Sequence, residues 1–109
     1  MSETPSLPDK EILLEALRDV IDPELGFNIV DLGLIYDVAI EDRTATVTMT
    51  MTTPGCPAQE YITSGVEQRL LEEGTLTGIF VDVVWEPRWS PRMMSPIAKA
   101  HFRIGGDAA

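Results

Sequence analysis

The chain has 109 residues, 44% hydrophobic and 24% charged, which fits one soluble globular domain with a modest core and leaves no room for two. No apolar run approaches the roughly 20 residues that cross a bilayer, and the acidic start MSETPSLPDKE is unlike a secretory signal. Eighteen acidic against eight basic residues give a formal charge of -10, which repels phosphate backbones and anionic lipid, and a single cysteine excludes an internal disulfide, fitting a reducing cytosol.

Residues 1–7 read as a flexible leader, 8–105 as a single domain and 106–109 as a frayed tail. Ser6 and Asp9 resemble a capping box, with Pro8 in the first helical turn. Leu13, Ala16, Leu17 and Val20 fall at i, i+3, i+4 and i+7, predicting a helix that stops at Asp22-Pro23, because the residue before a proline is pushed out of the helical region. DPELGFNIVDLGL, Asp22 to Leu34, reads as a loop with two glycines. Leu34, Tyr36, Val38 and Ile40 then alternate against Ile35, Asp37, Ala39 and Glu41, as a half-buried strand does. After a turn at Glu41–Thr44, Ala45, Val47, Met49 and Met51 alternate with Thr46, Thr48, Thr50 and Thr52, a second strand that completes a hairpin.

Pro57 opens a second helix whose apolar stripe is Ala58, Tyr61, Ile62, Gly65, Val66 and Leu70, with Gly74 ending it. Ile79, Val81, Val83 and Trp85 alternate with Phe80, Asp82, Val84 and Glu86 in a third strand. The proline-rich EPRWSPRMMS follows, then a short helix capped by Ser95 and Pro96 and running through Phe102. Trp85 reads as core packing at a strand end, Trp89 as exposed or roofing a site. The order α-β-β-α-β-α, with a helical crossover between the second and third strands, makes those two strands parallel. The fold class is α/β: a compact two-layer sandwich with a mixed three-stranded sheet and helices on one face. Ile35, Ala39, Phe80 and Val84 are left on the other face, for a second copy or the last helix to cover.

The lone Cys56 lies between Gly55 and Pro57, just ahead of the second helix. Two readings stand. A free cysteine is commonly a small hydrophobe tucked against a sheet. At a helix start it meets free amides and the positive dipole end, which favour a reactive or ligating thiolate, and the Gly/Pro setting points to this second reading. Asp22 and Glu24 flank a proline, either as solvated helix-end polarity or as part of a site, since carboxylates are oddly placed near a helix C-terminus. Thr52 and Thr53 either finish the strand or offer hydroxyls beside Cys56. A cysteine hydrolase needs a base, and the only histidine, His101, reads as a surface residue.

Three stretches, DPELGFNIVDLGLIYDV, TMTMTTPGCP and VDVVWEPRWSPRMMS, resemble in order and spacing the SufT/PaaD-type iron–sulfur assembly family, over about Glu11 to Arg103. The family includes the eukaryotic cytosolic iron–sulfur targeting protein. The absence of a cysteine-bearing C-terminal extension resembles the stand-alone SufT branch more than PaaD. The resemblance implies an accessory, non-enzymatic role in metal–sulfur cluster biosynthesis in the cytoplasm. It implies a site made of Asp22, Glu24, Thr52, Thr53 and Cys56, with Cys56 as ligand of a labile cluster. A stable cluster takes four thiolates and one chain offers one, so the cofactor expected is a transient iron–sulfur cluster, none stably held. The partners expected are iron–sulfur client or scaffold proteins and a homodimer, with no nucleic acid and no membrane. An alternative keeps the thiol incidental and makes the protein a PaaD-like adaptor docking clients through WEPRWSP.

Overall fold

The computed structural model describes residues 10–52, 57–74 and 76–103. The leader, the Ser6–Asp9 cap, Thr53, Cys56 and the tail lie outside the described residues.

Threonine on alternate positions divides the middle strand into two faces, and the sheet is built around it. β3 (Ile35–Glu41) pairs antiparallel with β4 (Thr44–Met49), and β4 pairs parallel with β5 (Gly78–Val83), giving the order β3-β4-β5. On one face Val38, Ala45, Val47 and Met49 are buried under α1 (Lys10–Leu17) and α2 (Gln59–Leu71). Those helices contribute Leu13, Ala16, Leu17, Ile62, Val66 and Leu70, as expected from their spacing, whereas Tyr61, counted in the second stripe, is 63% exposed. On the other face Asp37, Thr48 and Asp82 share one row and Ala39, Thr46 and Phe80 the next. Phe80 is 63% exposed, so this face is uncovered at that row. The mixed three-stranded sheet and the element order thus agree with the sequence reading, as does the parallel pair. Asp42 takes the left-handed conformation (φ 56°) in the tight β3–β4 turn, which Asp tolerates better than most residues.

Four local details differ. α1 ends at Leu17, short of Asp22: the amides of Arg18, Asp19 and Val20 bond three residues back, tightening the chain out of the α-helix. Ile21–Asp22 then forms β1, paired antiparallel with β2 (Phe27–Asn28), so the presumed loop contains a small hairpin. A bulge between Ile35 and Asp37 sets Ile35 opposite Met49, on the helix side, and removes it from the open face. Finally, α2 begins at Gln59, with Pro57 and Ala58 in a preceding turn.

α3 (Pro96–Phe102) begins as expected, with the Ser95 hydroxyl accepting from the Ala98 amide at 3.3 Å and Pro96 in the first turn. It packs beside the small hairpin, not over the open sheet face. Phe27 meets Phe102 edge-on at 5.7 Å, and Ala98 is fully buried.

Candidate functional site

Asp22 is the last residue of β1 and is 2% exposed. Its Oδ1 accepts from the Glu24 amide at 2.7 Å and the Leu25 amide at 3.3 Å, while its carbonyl accepts from the Gly26 amide at 2.7 Å. The carboxylate therefore shapes the Pro23–Gly26 turn, an Asx turn within a hairpin, and it is not a helix-end charge. Glu24 stands at the tip of that turn, exposed. Thr52 is half-buried three residues past the end of β4. Ile21, next to Asp22, and Tyr61, in the first turn of α2, line one surface cleft with Gly65. An added Cβ on Gly65 would stand 3.3 Å from Val20. The hairpin bearing Asp22 and Glu24 thus borders the N-terminal half of α2, the helix that follows position 56. Thr53 and Cys56 are outside the described residues, and among the described residues no three His, Cys, Asp or Glu side chains converge as a metal site.

The sequence reading missed Asp31. This carboxylate is 6% exposed and accepts from Asn28 Nδ2 at 2.8 Å, with Arg18 Nε at 3.5 Å; in return Asn28 Oδ1 accepts from the Asp31 amide at 2.8 Å. Burial pushes its pKa up, but hydrogen bonds from Asn28 and Ser95 and the Arg18 charge outweigh burial and hold the carboxyl below the usual range. The Asp31 carbonyl also accepts from the Ser95 amide at 2.8 Å. One residue therefore ties α1, the 28–33 turn and the cap of α3 together. The spacing Asn-x-x-Asp, a reciprocal side-chain and backbone cap, was a readable signal for the Asn28 half of this brace.

The proline-rich strap is held across the same segment. Trp89 Nε1 donates to the Leu32 carbonyl at 2.7 Å, and the Tyr36 hydroxyl donates to the Pro87 carbonyl at 2.7 Å. Gly33 has φ +82° and lies so close to the strap that a Cβ there would overlap the Met93 carbonyl group, 2.7 Å from its carbon. Trp89 is half-buried against the core while Trp85, beyond the end of β5, is 39% exposed, so Trp85 is not the core residue its strand position suggested. The Thr50 hydroxyl, on a residue 1% exposed, interacts with the Tyr36 phenol without reaching the geometry of a formed hydrogen bond. His101 is exposed and packs its ring against Phe27 at 4.8 Å and Phe102 at 4.7 Å.

Residues 10–79 match the family described as iron-sulfur cluster assembly protein. This chain belongs to that family. It is similar to the Fe-S protein maturation auxiliary factor YitW of Bacillus subtilis, 43% identical over 96 residues, which cover 87% of this chain and 94% of that one. It is also similar to the Fe-S protein maturation auxiliary factor SufT of Staphylococcus aureus, 46% identical over 81 residues, covering 73% and 92% of the two chains. Among solved structures, a domain of unknown function from Bacillus anthracis superposes with a TM-score of 0.83 at 46% identity, covering 88% of this chain and 92% of that chain. The match to the iron–sulfur assembly family takes in the Asp22 hairpin, the Arg18, Asn28 and Asp31 part of the brace, and the TTPGCP stretch. The strap and α3 lie beyond residue 79.

Proposed function

We propose that this protein is an accessory maturation factor for iron–sulfur proteins. It handles a cluster as transient cargo and passes it to, or prepares, client proteins. The observation that carries this reading is the extent of the likeness to the two bacterial maturation factors, which takes in most of each chain. In this reading Asp22, Glu24, Thr52, Thr53 and Cys56 make up the exchange site. The hairpin presents Glu24 to solvent, and the middle strand of the sheet leads into the TTPGCP stretch. One thiol per chain supplies one of the four ligands that a stable cluster takes, so any cluster held there is labile and its final home is elsewhere. The role is non-catalytic and the compartment the cytoplasm. Among the described residues no helix is long and apolar enough to cross a membrane.

Two experiments test this. Anaerobic reconstitution with iron and sulfide should give weak, easily lost cluster absorbance in the wild type and less in Cys56→Ser. In the host, Cys56→Ser should lower the activity of several iron–sulfur enzymes while their polypeptide levels hold. Full client activity in that strain would defeat the exchange role. The adaptor reading would then take over, favoured by the exposed Trp85 and the firmly anchored strap.

A further inference from the structure

The charge of this chain is unevenly distributed. Between Glu86 and Asp107 there is no acidic residue, and Arg88, Arg92, Lys99 and Arg103 make up half of the eight basic residues of a chain whose net charge is -10. The other described cations are engaged: Lys10 with Asp37, Arg18 with Glu15 and Asp31, and Arg69 with Asp19, Glu72 and Glu73, while Arg43 is also partnered. Among the described residues none of the four C-terminal cations makes an ion pair, and Arg88, Arg92 and Arg103 are exposed. Apolar side chains stand open in the same segment, Ile97 at 68% and Met93 at 37% exposure. The backbone beneath is fixed. Trp89 bonds to Leu32, Ser95 to Asp31, and Met94 and Ala98 are buried.

We propose that the segment from Arg88 to Arg103 is a docking surface for an acidic stretch of a partner protein that also carries an apolar side chain. Charge complementarity selects the occupant. The rest of the chain holds four basic residues against all eighteen acidic ones, so the field favours approach of an acidic partner to this segment, which orients and speeds encounter. Ile97 and Met93 offer apolar area that a purely ionic contact would leave wet. Because the strap is already anchored, little ordering entropy is lost on binding. The proposal does not depend on Cys56, although α3 packs against Phe27 of the hairpin that bears Asp22 and Glu24.

The test is fluorescence anisotropy with a short fluorescein-labelled peptide of interspersed glutamate and leucine. A glutamate/serine peptide, a lysine/leucine peptide and a short single-stranded DNA serve as comparisons. The glutamate/leucine peptide should bind best, and more weakly as salt is raised. Arg88→Glu with Arg92→Glu should weaken it about tenfold, and Ile97→Ser about fivefold. Lys10→Glu, a reversal outside the segment, should change it little, and Cys56→Ser not at all. Circular dichroism checks that each variant is folded, and should the double reversal unfold, Arg88→Gln with Arg92→Gln replaces it and is expected to weaken binding about threefold. The proposal is overturned by absence of binding, by equal binding of the glutamate/serine peptide or of DNA, or by binding indifferent to the Arg88/Arg92 changes. It is overturned too if sedimentation shows the wild type self-associating through these arginines, which would make a second copy the occupant.

Discussion

Replacing Asp31 with alanine tests the brace that joins α1, the 28–33 turn and the start of α3. The change removes the acceptor for Asn28 Nδ2 at 2.8 Å, the contact with Arg18 Nε at 3.5 Å and the side-chain bond with Ser95. Hydrogen bonds to a charged acceptor contribute about 1.5 kcal/mol or more each, and a partly exposed arginine contact less than about 1 kcal/mol. The cost of burying the carboxylate is recovered in the variant, so the expected loss is about 2–3 kcal/mol at pH 7. For a domain of this size that is a fall in Tm of about 10–15 °C. The pH dependence has a definite sign. The folded carboxyl titrates below its ordinary value, so its contribution is fully present above the unfolded pKa and is lost as pH falls through the folded one. Urea denaturation followed by circular dichroism, on wild type and Asp31→Ala, should therefore show a gap that is full at pH 7 and shrinks below about pH 4. A gap under about 0.5 kcal/mol at pH 7, or one that stays constant down to about pH 3, would refute the reasoning.

Gly33→Ala should cost about 3 kcal/mol or more, since it strains a left-handed residue and forces the Met93 backbone away; thermal melting would register it, and a Tm within a few degrees of wild type would contradict the close approach. Trp89→Phe leaves the buried Leu32 carbonyl without its indole donor and should cost about 1–3 kcal/mol in the same assay. Burial, with Glu86 nearby, raises the Tyr36 phenol above its ordinary pKa despite the influence of Thr50. A phenolate absorbance titration should then show one tyrosine ionising late, and Tyr36→Phe should remove that late step. The neutral phenol is favoured in the folded state, so its contribution is fully present below the unfolded pKa and is lost as pH rises from there through the folded one.

The long elements were legible because each buries one face. The stripe Leu13, Ala16, Leu17 and the alternation of Val47 and Met49 with threonine are consequences of that one-sided burial. Strands of two residues have no period, so the Ile21–Asp22 and Phe27–Asn28 hairpin was hidden in what read as loop. The bulge before Asp37 was hidden for a related reason: one extra residue flips Ile35 to the other face without altering the local hydrophobic pattern. Half of the Asp31 brace was readable in Asn-x-x-Asp. Its other half, Arg18 and Ser95, comes from distant parts of the chain that only the tertiary fold brings together. The half-burial of Trp89 has the same origin, since the Leu32 carbonyl that captures its indole lies far away in sequence.

The far end of β4 is gripped from both sides. The Thr50 amide bonds to the Leu34 carbonyl, and the Val84 amide to the Met49 carbonyl, so pairing outlasts the strand on both flanks. Amides there are expected to exchange with solvent only when the whole domain opens, the slowest opening the molecule has. Thr52, the last described residue on this side, therefore leaves the sheet from a clamped end, and Ala58 beyond it is held in turn, buried and bonded to the Ile62 amide, so both approaches to positions 53–56 are anchored in the core.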